Sequence, residues 1–422
     1  MVIIKPVNKI DVAVIGGGPA GLAAAISASK EGASVLLVER ESRLGGILKQ
    51  CIHDGFGLIR YGEKLSGPEY AHRDILALEK TDTHVMTDTM VTHIEKSGDG
   101  FLLTLSSKNG LIQVTANRLV LATGCRERTA KQIALFGTRP AGVFTAGTAQ
   151  YYTNIMGQMP TKRCIILGSG DIGLIMARRL TLEGAEVIGV YEAKQTPGGL
   201  LRNVVQCLND FDIPLHLGHT VTKLFGTDRL EAVEVCRVDN NLKPIPGTEK
   251  IIECDALILS VGLIPENELA EMLDIELCKQ TRGPICDQNY MTLIDGVFSC
   301  GNAMNVNDLV DYVSISGETA GQNAARYNGS TRTLIPVTAS SDFQNTVPQC
   351  IDTSSPPDEV IIYFRSREPR KNVSVSVYAD GIEVFKKHYN YLRPPEMEKI
   401  AVNFGKQYRS MQNITLKMEK VQ

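Results

Sequence analysis

The stretch Asp11–Gly46, DVAVIGGGPAGLAAAISASKEGASVLLVERESRLGG, leaves the chain little freedom of fold. Asp11–Ile15 is short, apolar and β-branched, the composition of a strand buried on both faces. Gly16, Gly18 and Gly21 then spell G-x-G-x-x-G. The first permits a tight turn, the second has no Cβ and lets a diphosphate approach the backbone, and the third lets a helix pack closely on the strand. Pro19 suits the first helical turn, with Ala20 behind it, and Gly32 is placed to stop the helix. Ser34–Val38 is the next buried strand, and Glu39 stands at its end. A carboxylate there can accept hydrogen bonds from both hydroxyls of an adenosine ribose, while the helix N-terminus offers N–H groups and its dipole to the diphosphate. Strand, turn, helix, strand and acid in this order predict a dinucleotide site. The motif alone does not distinguish FAD from NAD.

The unit occurs twice. Arg163–Leu167 reads as a strand and Gly168-Ser-Gly170-Asp171-Ile172-Gly173 as a second glycine turn. A helix to Gly184, the strand Glu186–Tyr191, Glu192 and the pair Gly198-Gly199 follow. From Gly16 to Gly32 and from Gly168 to Gly184 the glycines match without a gap, which marks an internal repeat. A glycine turn of purely structural origin explains one copy far better than two. The second copy has one extra residue before its acid, so Tyr191 falls where Glu39 would. A strand alternates faces, and a slip of one residue matters. Glu192 is still expected as the ribose ligand, and an acid there favours NAD over NADP. Arg178 and Arg179 come too early in the helix to hold a 2′-phosphate.

At 422 residues the chain is too long for one ordinary core, so two or three domains are expected. Its 43% hydrophobic residues and 38 glycines suit a folded α/β protein. A net charge of −3 and a pI near 6.2 make no electrostatic case for nucleic acid or an anionic membrane. No apolar run is long enough to span a bilayer. MVIIKPVNKI leads into the first strand without a signal-peptide plan. Ten cysteines without a C-x-x-C pair argue against a structural zinc, an iron–sulfur cluster or a secreted disulfide framework. No metal is expected, and the cytoplasm is the expected location.

Between the two copies, Arg40 and Gly45-Gly46 follow Glu39, and a glycine-rich stretch carries Cys51 and His53 before a helix expected from Pro68. Met90–Glu95 and Phe101–Leu105 alternate like antiparallel strands around a turn at 97–100. Asn117–Leu121 is apolar and runs into Ala122-Thr123-Gly124. Pro140–Thr148 reads as a crossover linker. Beyond the second copy, the buried strand Cys254–Val261 ends at Gly262. GVFSCGN spans 296–302, a helix is expected over 311–327, and residues 335–422 turn β-rich after a linker near 330–358. The proline pairs 356–357 and 394–395 punctuate that last part. Two discontinuous segments, 1–147 and 271–334, are expected to form one dinucleotide domain, 148–270 the second, and 335–422 a small C-terminal domain.

Two dinucleotide units, a strand ending in A-T-G and the late V-F-S-C-G-N together resemble the two-dinucleotide-binding-domain flavoproteins, the pyridine nucleotide-disulfide oxidoreductase superfamily, over about residues 8–330. The resemblance implies an α/β fold of two Rossmann-like domains, the NAD domain inserted in the FAD domain. It implies FAD at Gly16, Gly18, Pro19, Ala20, Gly21, Glu39, Arg40, Gly45, Gly46, Val91, Ala122, Thr123, Gly124, Gly301 and Asn302. It implies NAD(H) at Gly168, Gly170, Asp171, Ile172, Gly173, Glu192 and Gly262. The family's usual acid on the ribityl chain is Asn302 here. The C-x4-C of the disulfide reductases, the C-x-x-C of thioredoxin-reductase relatives and the C-terminal H-P-T…E are missing, which makes a dithiol relay unexpected. QCIHDGFGL, GPEYAHR and GSGDIGLIMARRLTLEG look more like a subgroup: the FAD/NAD(P)-binding alpha subunits of opine, proline and sarcosine-type oxidases, and oxidoreductases that accompany glycerol-3-phosphate dehydrogenase-like flavoproteins.

If FAD and NAD meet, the chemistry is hydride transfer between nicotinamide and flavin, and the protein has only to align and tune the rings. The helix near Asp311 either aims its N-terminus at the flavin or is simply the last core helix. Cys51 is either a reactive thiol beside the flavin or a small buried hydrophobe, and His53 either a proton donor or a hydrogen-bonded loop residue. Arg126, Glu127 and Arg128 read as a solvated charge cluster more readily than as phosphate ligands, and Cys300 as packing beneath the cofactor. Three functions follow: an NAD(H):acceptor flavoenzyme; a subunit of an oxidase or dehydrogenase whose second nucleotide site is structural; and a nucleotide-sensing scaffold. The C-terminal domain is expected to form an interface, with a second flavoprotein subunit or with its own copy; the alternative is a lid that only stabilises the core.

Overall fold

The structure is a computed structural model that describes residues 7–354, 359–405 and 408–421; Pro356-Pro357 lies outside them. The chain divides into two compact units, one of Met1–Cys125 with Pro265–Gln422 and one of Arg126–Ile264.

In the first unit the parallel strands His84–Met86, Val35–Val38, Val7–Ile15 and Gly110–Leu121 lie side by side, with Val297–Ser299 also paired to the last. Thr89–Ser97 and Gly100–Ser107 extend the sheet antiparallel, as their alternation predicts. Val35–Val38 is buried at every position, as a strand covered on both faces must be. The alanine-rich helix Pro19–Lys30 lies on Val310–Arg326. The two backbones come so close that a Cβ at Gly317 or Gly321 would sit 2.1 Å from the carbonyl oxygen of Ala20 or Ala24. Small residues on both helices are what permit this approach.

The second unit repeats the plan. Leu215–Leu217, Glu186–Glu192, Arg163–Leu167, Ala256–Leu259 and Val143–Thr145 form a five-stranded parallel sheet. A second sheet carries the antiparallel strands His219–Phe225, Ala232–Arg237 and Lys250–Glu253. Pro140–Thr148 is therefore more than a crossover: Val143–Thr145 enters this unit's parallel sheet, and a helix Ala146–Asn154 follows.

The C-terminal residues are β-rich, in a five-stranded and a three-stranded sheet. Val337, Val375 and Leu416 of one sheet share a core with Ile362, Phe364 and Val402 of the other. The expected linker near 330–358 holds three of these strands, Leu334–Ala339, Phe343–Val347 and Cys350–Asp352. Val347, Tyr363 and Met397 also join Val12, Val14 and Phe298 in the core of the first Rossmann-like sheet.

Candidate nucleotide sites

In the first copy Gly16 has φ +107° and a Cβ there would lie 2.3 Å from the Ala122 carbonyl oxygen; at Gly21 it would lie 1.7 Å from that of Gly16. Both glycines are demanded by the fold. Gly18 is different. Its φ of −77° suits any residue, and its Cβ would find only Gly46 Cα, at 3.9 Å. The helix behind it starts at Pro19 with no side-chain cap and no acid in its first turn, so no side chain caps its N-terminal N–H groups. Glu39 is buried at the strand end and accepts Gly17 N–H at 2.6 Å and Glu41 N–H at 2.7 Å. Gly45 N–H bonds the Gly17 carbonyl, and Gly46 lies over Gly18.

The other expected residues collect around this turn. Ala122 N–H bonds the Ile15 carbonyl, the Thr123 hydroxyl donates to the Glu266 carbonyl at 2.5 Å, and Gly124 takes φ +74°. Arg40, largely exposed, pairs with Glu266 at 3.1 Å. Gly301 takes φ +62° and donates to the Ser316 hydroxyl, and its Cβ would lie 2.8 Å from Ala20 Cβ. Asn302 accepts Asn307 N–H and points its amide nitrogen at Cys125 Sγ, 3.6 Å away. Cys125, directly after Ala122-Thr123-Gly124, thus meets the late motif, which its place beside the A-T-G could have suggested. Val91 has its side chain in the sheet core with Ile15, Val38 and Leu105.

The second copy settles the slip before Glu192. Cys164 pairs with Val187 but Ile165 pairs with Gly189, so Ile188 is bulged out. Beyond the bulge Leu167 pairs with Tyr191 as Ile15 pairs with Val38. Glu192 therefore occupies the place of Glu39. It accepts Ser169 N–H at 3.0 Å and Lys194 N–H at 3.0 Å, the counterparts of Gly17 and Glu41. Gly168 (φ +96°) presses on the Ser260 carbonyl, so Ser260-Val261-Gly262 answers Ala122-Thr123-Gly124, with Gly262 at φ +102°. Gly170 keeps φ −64°, and Gly173 packs on Ser260. Asp171, in the first helical turn with Ile172, accepts Leu200 N–H at 2.8 Å and the Asn203 amide at 2.6 Å, tying down the loop after Gly198-Gly199. Glu127 closes around Gly147 N–H, 2.9 Å from both oxygens, at the start of Ala146–Asn154; it caps a helix there.

Cys51 and His53 lie in the loop before the helix Gly67–Leu78, whose capping box joins Ser66 and Glu69. Burial alone pushes the Cys51 thiol up to about 12, and its sulfur lies 3.4 Å from the Ile47 carbonyl. A group raised this far stays a thiol at neutral pH and is a poor nucleophile. Iodoacetamide at pH 7, followed by mass spectrometry, is expected to leave Cys51 largely unmodified in the folded chain; rapid alkylation there would show a reactive thiol. The His53 ring lies 4.9 Å from that of Phe56, and its Nδ1 3.2 Å from the Asp54 carbonyl. A network that periodicity cannot show holds this loop. Arg60 pairs with Asp74 at 2.7 Å and Glu318 at 2.8 Å, and its backbone N–H donates to Asp311 in the first turn of Val310–Arg326.

Residues 10–324 match the family model described as pyridine nucleotide-disulphide oxidoreductase. The chain belongs to this family. Members of this family bind FAD and NAD(P)H. It is 28% identical to hydrogen cyanide synthase subunit HcnB of Pseudomonas protegens over 285 residues, 62% of this chain and 58% of that one. The Pseudomonas aeruginosa HcnB is covered over 59% of its length, so the chain spans under two thirds of these two relatives. It is 24% identical to an opine oxidase subunit of Agrobacterium tumefaciens over 418 residues, 93% of this chain and 75% of that one. In fold it is similar to thioredoxin reductase of T. acidophilum, with a TM-score of 0.62, 20% identity, and 76% of this chain and 99% of that one covered. No helix among the described residues is long and apolar enough to cross a membrane.

Proposed function

We propose that the first unit holds FAD and the second NAD(H), and that the chain passes a hydride between them and then exchanges electrons with a partner subunit or a small acceptor. The observation that carries this reading is the glycine contrast in the first copy. Gly16 and Gly21 are required by neighbouring backbone, whereas a Cβ at Gly18 would meet only Gly46 Cα, at 3.9 Å, among the described residues. A residue without a side chain, in loose surroundings beside an uncapped helix N-terminus, fits a diphosphate. Bound FAD supplies the two-electron acceptor and NAD(H) the hydride. The chain's own residues bind and orient: Gly18, Gly46 and the start of Pro19–Lys30 at the diphosphate, Glu39 at the ribose, Thr123, Gly124 and Asn302 toward the flavin. Gly168, Gly170, Asp171, Ile172, Gly173, Glu192 and Gly262 form the second set, and Cys51 and His53 border the first. Anaerobic titration of the purified yellow protein with NADH tests the reading: stoichiometric bleaching of the flavin supports it, and no bleaching overturns it.

NADH is expected to be used at least about tenfold more efficiently than NADPH, because a 2′-phosphate would face the Glu192 carboxylate across a like-charge contact. Comparison of kcat/KM for the two coenzymes checks this; equal values would place Glu192 elsewhere.

The second reading makes the chain the FAD-binding part of a heteromeric amine, opine or glycerol-3-phosphate-type oxidase or dehydrogenase, its second nucleotide site structural. The similarity to the opine oxidase chain supports it, since it extends over 93% of the chain and so reaches the C-terminal strands. In this reading the C-terminal sheets dock the partner. Flavin that stays oxidised under NADH, together with tightly retained ADP or NAD, would favour it over the first.

A further inference from the structure

The two copies hold their acids differently, and the difference lies in one residue. In the first copy each Glu39 oxygen accepts one backbone N–H, from Gly17 and from Glu41. A carboxylate oxygen has two acceptor positions, so one remains on each oxygen for a ribose hydroxyl. In the second copy Oε1 of Glu192 accepts Lys194 N–H, but Oε2 accepts both the Ser169 N–H and the Ser169 hydroxyl, the latter at 2.6 Å. Oε2 is thereby filled, and Glu192 has one acceptor position left where Glu39 has two. The Ser169 hydroxyl is held in this role, because it also accepts Gly198 N–H at 2.8 Å and its residue is fully buried. The first copy has no side chain there: Gly17 takes the place of Ser169, and a Cβ on it would crowd Leu44 Cδ2 at 2.5 Å and Glu39 Oε2 at 3.0 Å.

We infer that Ser169 is a positioning residue that weakens the grip of Glu192 on the adenosine ribose and so makes the second nucleotide exchangeable, while the first is gripped through both hydroxyls as a resident cofactor is. This rests on the reading of Glu192 as the ribose ligand. It gives a physical reason why two copies of one unit serve a retained group and a co-substrate.

The test is calorimetric titration of the FAD-loaded full chain with ADP-ribose, which carries the adenosine ribose and the diphosphate and cannot reduce the flavin. Ser169→Ala should bind ADP-ribose about tenfold tighter than the wild type, the worth of one recovered hydrogen bond to a charged group. Ser169→Gly, which copies Gly17, should do the same and serves if the alanine variant folds poorly. The KM for NADH should fall with it. A merely structural serine would give the opposite sign, since its loss loosens the turn and weakens binding. Unchanged or weaker binding in both serine variants, with Glu192→Ala weakened, overturns the inference while leaving the site intact. Unchanged binding in Glu192→Ala as well overturns the ribose reading beneath it.

Discussion

Gly18→Val is expected to give a folded protein without flavin. The backbone at Gly18 is ordinary, with φ −77°, and a Cβ there has only Gly46 Cα within 4 Å, at 3.9 Å. The valine therefore costs the fold little. Its methyl groups would add bulk beside the uncapped helix N-terminus, where the proposed diphosphate would lie. Losing the close approach of the diphosphate to backbone is worth at least ~3 kcal/mol, about a hundredfold in affinity. Flavin absorbance measured against protein, with far-UV circular dichroism, checks both halves. A yellow variant with full flavin would refute the site. Gly16→Val is the contrasting case: with φ +107° and a Cβ 2.3 Å from the Ala122 carbonyl oxygen, it should unfold the unit before any ligand question arises.

Removal of residues 340–422 is expected to yield insoluble, colourless protein. Taken from the sequence alone, the C-terminal part reads as a separable domain whose loss would leave the flavin and change only assembly. The structure gives it a shared core. Val347, Tyr363 and Met397 belong to the same hydrophobic core as Val12, Val14 and Phe298. Arg365 reaches the Val306 carbonyl, and Met397 N–H donates to Asp308, in the loop between Asn302 and Val310–Arg326. Leu334–Ala339 would also lose its partner strand Ile414–Lys420. Buried apolar side chains stripped of partners cost ~2–5 kcal/mol each, against a total stability of ~5–15 kcal/mol. Expression of the truncated chain, followed by solubility and flavin content, decides the matter. A soluble yellow product would show that the strands fold independently of the first sheet, and light scattering of that product against the full chain would then test for an interface.

Much of this molecule is legible in its sequence because the signals are local. Glycines at Gly16 and Gly168 announce positive φ, apolar β-branched runs announce buried strands, and the ungapped spacing to Gly32 and Gly184 announces a duplicated unit. The acids at the strand ends follow from the same pattern. Other features depend on residues that meet only in space. The bulge at Ile188, which returns Glu192 to the place of Glu39, is a property of the pairing between two strands and leaves no mark on periodicity. The filled oxygen of Glu192 depends on Ser169, 23 residues away. The Arg60 network joins residues as far apart as 258 positions. The union of the C-terminal strands with the first core depends on packing that composition cannot encode. A sequence states what each segment prefers, and those preferences act over a few residues; which partner satisfies a buried oxygen or covers an apolar face is chosen by the whole fold at once.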